Sequence, residues 1–136
     1  MVIQESLHHD FVANVEPFLM RKWLVSLIDK KDEEIQSLKD KILKYEQKNR
    51  AEDAFYQSLS PIRKLFTARA PSHHKAVEYM VNVKDRMKKI EILKLQVNEL
   101  NRLLETLQDH EPESLIISHP ILEDLRPLIM IGDSLS

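Results

Sequence analysis

Apolar residues in the first third of the chain recur at helical spacing. From position 17 to 57 the chain has no glycine and, after Pro17, no further proline, which favours one long helix. Steps of four and three residues, with Lys31 at one position, connect the apolar residues Leu24, Ile28, Ile35, Leu38, Ile42 and Tyr45. This spacing predicts a coiled-coil seam, a row of residues that faces another helix. The register places Asn49 at the next position, where it either fixes the pairing as a buried amide or lies in solvent beyond a frayed seam.

A second helix is predicted over residues 73–108, again without glycine or proline. Pro71 ends the segment before it, and Ser72 is a good N-cap. The apolar stripe of this helix comprises Ala76, Met80, Val83, Met87, Ile90, Leu93, Val97, Leu100, Leu104 and Leu107. Three-residue steps on both sides of Ile90 predict a stammer, which overwinds the seam locally or rotates it.

The similar lengths of these segments predict an all-α fold, a coiled-coil-like hairpin of two long antiparallel helices. The hairpin domain covers 1–110. Its parts are an N-terminal arm at 1–16, the first helix at 17–57, a connector with a short helix at 58–72, and the second helix at 73–108.

The C-terminal tail, 111–136, is acidic, apolar in part and interrupted by prolines. Short strands are possible at 115–118 and 128–131, although prolines disfavour them. We expect the tail either to pack on the open end of the hairpin, closing a core around Phe18 and Trp23, or to dock a partner.

The composition argues against several classes of site. Gly132 is the one glycine among 136 residues, and there is no cysteine. Tight β-hairpins and glycine-rich phosphate loops are therefore disfavoured, and disulfides and thiolate metal sites are excluded. No stretch approaches the roughly 20 apolar residues that cross a bilayer. We expect a soluble chain without a cofactor, located in the cytoplasm or, in a eukaryote, also in the nucleus.

Basic residues cluster in the connector although the net charge of the chain is -2. No acidic residue occurs between Asp53 and Glu78. The predicted partner-binding residues there are Arg63, Lys64, Arg69 and Lys75. Basic residues at the start of a helix oppose its dipole, which points to an anionic partner. That partner is either an acidic protein segment or, as the alternative, a nucleic acid contacted through its phosphates.

Two adjacent histidines at the start of the second helix raise the question of a metal site. His73 and His74 point about 100° apart on a helix, so they cannot both face one ion. His74 and Glu78 are spaced to do so, but a closed site needs more ligands than these three residues provide. The pattern is more typical of a capped helix start, and we predict no metal.

The sequence contains no arrangement of nucleophile, base and oxyanion donors, which indicates a non-enzymatic protein. The predicted function is a coiled-coil interaction protein that forms a homodimer and acts as a scaffold, adaptor or regulator for an unidentified protein partner. Ile92, Leu95 and Leu103 lie outside the apolar stripe of the predicted second helix, and they need a further surface to cover them. The predicted self-association residues are Leu24, Ile28, Ile35, Leu38, Ile42, Met87, Leu93, Val97, Leu100 and Leu104.

Overall fold

The computed structural model describes the backbone of residues 1–59 and 72–135, and the side chains of these residues except 72–74 and 132–135. The described chain is mostly helical, as predicted, but it also contains a small sheet, so the expectation of an all-α fold holds only in part. In chain order the elements are β1 (Val2–Glu5), β2 (Phe11–Asn14), α1 (Pro17–Ser58), α2 (Ser72–Tyr79), a π-helix (Met80–Lys84), α3 (Asp85–Asp109), β3 (Ser114–Ile117) and α4 (His119–Leu135). The predicted connector lies largely outside the described residues.

The sheet has three strands in the order β2-β1-β3. β1 pairs antiparallel with β2 and parallel with β3, so that Ile3 lies opposite both Ala13 and Leu115. The predicted N-terminal arm is therefore a β-hairpin. The alternation along β3 buries Leu115 and Ile117 and exposes Ile116, because successive side chains point to opposite faces of a sheet.

The turn between β1 and β2 forms without glycine, contrary to the expectation from composition. His9 takes the left-handed conformation with φ 53°, a conformation that histidine adopts more readily than most non-glycine residues. The Glu5 carboxylate accepts hydrogen bonds through Oε2 from the backbone N–H groups of Leu7 and His8, at 3.1 and 3.2 Å. A side chain thus satisfies turn amides that would otherwise need other partners.

Internal contacts divide the chain into two compact units. Unit 1 comprises Met1–Glu33 and Leu93–Ser136, and unit 2 comprises Glu34–Ile92. In unit 1 the sheet and parts of α1, α3 and α4 enclose a hydrophobic core. Its buried residues are Ile3, Val15, Met20, Leu24, Leu27, Leu100, Leu103, Leu107, Leu115, Ile117, Ile121, Leu122, Leu125 and Ile129.

The C-terminal tail contributes many of these core residues, in a form that differs from the prediction. The segment 128–131 is part of α4, so the second predicted strand is wrong. Pro127 lies inside that helix, where it cannot donate to the carbonyl of Glu123 one turn earlier. The expected centre of the core is also different, since Phe18 is 61% exposed and Trp23 is partly buried against the core.

Unit 2 contains helices whose facing sides are more polar than the sequence stripe predicted. Ile35, Val83 and Ile90 are buried, whereas the predicted stripe residues Ala76, Met80 and Met87 are exposed. We use the name polar seam for six of the half-buried polar residues of these helices, namely Tyr45, Asn49, Lys75, Glu78, Asn82 and Arg86.

The π-helix explains this displacement. Its wider turn, in which the N–H of Asp85 donates to the carbonyl of Met80, adds about one residue to the helical repeat. Arg86, rather than Met87, then becomes the half-buried residue that precedes Ile90. From Arg86 the more buried positions alternate in steps of four and three, so the predicted stammer around Ile90 does not occur.

Candidate functional site

The predicted basic partner site is described at one of its four residues. Arg63, Lys64 and Arg69 lie outside the described residues. Lys75 is half-buried, and its Nζ lies 3.1 Å from Oδ1 of Asn49 and 3.5 Å from a carboxylate oxygen of Glu52. The ammonium of Lys75 therefore binds side chains of α1 in the same chain.

Asn49 has a defined role in this contact. The sequence left open whether this amide is buried in the seam or solvated, and in the structure it is half-buried and accepts the hydrogen bond of Lys75. A polar contact of this kind inside a helix pair favours one register over others, because sliding the helices would leave both groups without their partner.

The histidines considered as metal ligands are described only through their backbone, since the side chains of His73 and His74 lie outside the described set. Glu78, the third candidate ligand, is half-buried in the polar seam. Within the described part of the chain, no group of three or more histidine, aspartate or glutamate side chains is arranged to hold a metal ion.

The residues predicted to mediate self-association fall into three groups. Four are buried within one chain, namely Leu24, Ile35, Leu93 and Leu100. Five are half-buried, namely Ile28, Leu38, Ile42, Val97 and Leu104. Met87 is exposed. Most of the predicted seam is thus covered by the chain itself, and contacts with a second copy would need other residues.

A row of exposed apolar side chains supplies such residues on unit 2. We define the outer face as the exposed residues Val77, Met80, Val81, Lys84, Lys88 and Ile92. Their spacing of three, four and seven residues places them on one side of the helical segment. Of the three residues predicted to need a covering surface, Ile92 and Leu95 are exposed, while Leu103 is buried in the core of unit 1 and needs none.

Unit 1 contains an ion pair in which one partner, a lysine, is buried. Lys31 is 8% exposed, and its Nζ lies 2.7 Å from Oδ2 of Asp124 and 2.8 Å from Oε1 of Gln96. A buried ammonium needs such partners, because leaving water without them is costly. The sequence signal was the lysine within an apolar seam, but nothing in the sequence identified its partners on α3 and α4.

The carboxylate of Glu5 in unit 1 has a shifted pKa. Burial acts against ionisation of its carboxylate, but the backbone N–H groups of Leu7 and His8 and the nearby imidazoles of His8 and His119 outweigh burial, so the pKa of Glu5 is lowered. Its other oxygen, Oε1, is buried and has no hydrogen-bond partner among the described atoms.

The first turn of α4 is held by a carboxylate from α3. Ser118 donates its backbone N–H and its hydroxyl to the two carboxylate oxygens of Glu99, at 3.1 and 2.6 Å. The N–H of Leu122 donates to the carbonyl of Ser118, so Ser118 is the N-cap of the helix. A negative charge at this position also complements the helix dipole.

Comparison with known proteins identifies no relative. No protein family model, curated protein sequence or solved structure matches the chain significantly. Of the helices that the structure describes, none is both long enough and apolar enough to cross a membrane.

Proposed function

We propose that the chain is a non-enzymatic interaction protein, a coiled-coil-like helical hairpin that forms a homodimer and serves as a scaffold or adaptor for other proteins. The observation that carries this proposal is the polarity of unit 2. Its polar seam turns toward the neighbouring helix, while Val77, Val81 and Ile92 are exposed. A helix that exposes apolar residues opposite a polar seam gains more from a partner on its outer face than an ordinary amphipathic helix does.

The outer face is self-complementary when two copies run antiparallel. A two-fold axis midway between positions 86 and 87 brings Val81 of one copy opposite Ile92 of the other. The same axis brings Asp85 opposite Lys88 and places Lys84 near Glu91, and all four of these charged residues are exposed. Each contact occurs twice in such an isologous dimer. A parallel arrangement would instead place the lysines of the two copies against each other, which costs free energy.

The dimer provides the basis for a scaffold or adaptor role. Two copies joined through unit 2 carry two copies of unit 1, each with exposed aromatic side chains at Phe11 and Phe18. Exposed aromatic residues are enriched where proteins bind each other. Partner segments bound at both copies would be held close together, which raises their effective concentration.

A charge-swap series measured by sedimentation equilibrium tests the proposal. We expect the unchanged chain to dimerise with a dissociation constant on the order of 1–100 µM, since the apolar part of the face is small. Lys88→Glu puts like charges opposite Asp85 and should weaken the dimer by about tenfold, and the double variant Asp85→Lys, Lys88→Glu should restore it.

The matched control is Lys39→Glu, a change of the same charge at an exposed residue of α1. Circular dichroism of all variants checks that helix content is retained, because Asp85 and Lys88 also neighbour each other on one helix. A chain that stays monomeric throughout this concentration range would rule out the proposed homodimer. Equal weakening by Lys39→Glu and Lys88→Glu would rule out the outer face as its interface.

A further inference from the structure

β3 lies at one edge of the sheet, and no strand pairs with its outer side in the described part of the chain. On its inner side, β1 and the residue after it donate backbone N–H groups to the carbonyls of Glu113 and Ile117, at 2.9 and 3.0 Å. Main-chain groups of alternate residues point to the same side of a strand. The N–H and carbonyl groups of Ser114 and Ile116 therefore point away from β1, and they have no hydrogen-bond partner among the described residues.

α3 runs along this open edge. Ser118, the next residue whose N–H points outward, donates it to the Glu99 carboxylate of α3 at 3.1 Å. A cavity between the helix and the strand has a volume of about 460 Å³, within the ~300–1,000 Å³ of common ligand pockets. The open edge is thus one wall of a groove, and α3 is the other wall. The residues that line the groove include Glu99, Arg102, Leu103 and Thr106 of α3 and Ile116 of β3.

The opposite edge of the sheet is less suited to a further strand. In β2 the pairing of Ala13 with Ile3 and of Phe11 with Gln4 leaves Val12 as an extra residue, so this strand contains a bulge. Bulges twist an edge strand and protect it from pairing. β3 has no such irregularity, because its four residues pair with β1 in one continuous register. Strand addition is therefore favoured at β3.

Arg102 supplies the charge of this groove. Its side chain is exposed, and its guanidinium has no hydrogen-bond or ion-pair partner within the described part of the chain. Glu99 also lines the groove, but both of its carboxylate oxygens accept hydrogen bonds from Ser118. The group that remains to bind a ligand is thus a guanidinium, which prefers a carboxylate and can form two parallel hydrogen bonds with it.

The side chains of an added strand alternate between two environments. In an antiparallel arrangement, the residues opposite Ser114 and Ile116 exchange both hydrogen bonds with them. The side chains of these two residues lie on the outer face of the sheet, beside Ile116, which is 48% exposed. The residue between them points to the face that packs on α3, where Arg102 lies. Apolar β-branched residues suit the first two positions, and an acidic residue suits the middle one.

We propose that this groove binds an extended segment of another protein by strand addition, a segment with a glutamate or aspartate between two β-branched apolar residues. In this mode main-chain hydrogen bonds give affinity and alternate side chains give specificity. The inference rests on the proposed adaptor function and names the class of segment that the adaptor binds. It does not require the homodimer, because the groove belongs to unit 1 and the outer face to unit 2.

Fluorescence anisotropy with a labelled pentapeptide tests the proposal. The probe is Thr-Val-Glu-Val-Thr, with fluorescein at its N-terminus and an amide at its C-terminus. We expect saturable binding with a dissociation constant on the order of 100 µM, because a short edge offers few hydrogen bonds. Glutamine in place of the glutamate should weaken binding about threefold to fivefold. N-methylation of both valines removes their N–H groups and should weaken it about tenfold or more. Absence of saturable binding, or equal binding of the N-methylated peptide, would overturn the proposal.

Variants of the groove test the location. Ser114→Pro removes one outward N–H without breaking a bond to β1 and should weaken binding about fivefold, whereas Ser114→Ala keeps that N–H and is the matched control. Arg102→Gln should weaken binding of the glutamate peptide and leave binding of the glutamine peptide unchanged. Lys94→Gln, the same charge change at an exposed residue of α3 outside the groove, is its control. If either variant has the same effect as its control, the peptide does not bind at this edge.

The homodimer and the groove can fail separately. Lys88→Glu, which weakens the proposed dimer, should leave the affinity for the peptide unchanged. A chain that dimerises through the outer face but does not bind the peptide would refute the groove alone. If the peptide does not bind and Ser114→Pro weakens self-association in sedimentation equilibrium, the edge is occupied by a second copy of the chain, which would also overturn the proposal.

Discussion

Lys31 and Asp124 allow a quantitative test of a buried charge, because the two partners differ in their access to water. The Lys31 side chain is 10% exposed and that of Asp124 is 37% exposed. Asp124→Asn removes the carboxylate charge and leaves the ammonium buried, with Gln96 as the partner that remains. Breaking a buried pair costs ~3–5 kcal/mol, and the partial exposure of Asp124 reduces this to about 2–3 kcal/mol of unfolding free energy.

The reverse change should cost less. Lys31→Met removes the charge that is hard to hydrate and replaces the lysine with an apolar side chain of similar length, while the carboxylate of Asp124 can turn to solvent. We expect a loss of about 1 kcal/mol or less. The double variant should resemble Lys31→Met, because Asp124→Asn has no buried ammonium left to destabilise.

Urea unfolding at neutral pH, followed by circular dichroism, gives these free energies by linear extrapolation. Lys39→Met, at an exposed position on α1, is the control for losing a lysine from the helix and should change the unfolding free energy by less than about 0.5 kcal/mol. If Lys31→Met destabilises the protein more than Asp124→Asn does, the reasoning from burial is refuted.

Three further predictions concern unit 1. Because the pKa of Glu5 is lowered in the folded chain, its contribution to stability is present above the ordinary carboxyl pKa and is lost as the pH falls through the lowered value. Unfolding midpoints measured from neutral to acid pH should therefore fall less for Glu5→Gln than for the unchanged chain. Identical pH profiles of the two proteins would contradict this. Glu99→Ala removes both acceptors of Ser118 and should lower the free energy of unfolding by about 1–2 kcal/mol; a neutral effect in urea unfolding would show that the cap is unimportant. Leu24→Ala, at a fully buried position, should cost ~2–5 kcal/mol, whereas Phe18→Ala, at an exposed one, should cost less than about 0.5 kcal/mol; comparable losses in thermal unfolding would contradict the described core.

The long helices could be predicted from sequence because their information is local. Absence of glycine and proline and a repeat of three and four residues determine α1 and most of α3 over many turns. The π-helix could not be predicted, because one extra residue in a turn changes the facing side chains without changing residue preferences. The stripe therefore failed at Met80, the first residue of the π-helix, and at Met87 beyond its end, and held at Leu93 and Leu100.

The strand considered possible at 115–118 corresponds to β3 (Ser114–Ile117), but β1, β2 and their pairing with β3 are not predicted, for a different reason. Each strand has four residues, too few for alternation to stand out, and β1 pairs with β3 across most of the chain. Long-range pairing leaves no local signal. In the turn at His9, a histidine takes the left-handed conformation and a glutamate side chain binds the turn amides, so no glycine is needed. Glycine content therefore could not predict this turn.

For the candidate sites too, the sequence indicates single residues from local patterns but not their distant partners. Lys31 and Asn49 are polar residues in an apolar register of the sequence, and both make polar contacts in the structure. Their partners, Asp124 and Lys75, are distant in sequence, and only the fold brings them near. The basic connector remains a prediction, because three of its four residues lie outside the described chain.

The parallel pairing of β1 with β3 bears on how the protein folds during synthesis. β1 leaves the ribosome before its partner β3, which follows only after more than a hundred further residues. Until then the hairpin of β1 and β2 has no third strand, and an isolated two-stranded hairpin is at best marginally stable. α1 can form early from local contacts, whereas unit 1 must wait for its last segment, which adds a large loop-closure entropy to the folding barrier. Before β3 is synthesised, Ile3 of β1, which is buried in the folded chain, therefore lacks part of its cover, and uncovered apolar side chains are the kind of surface that chaperones bind.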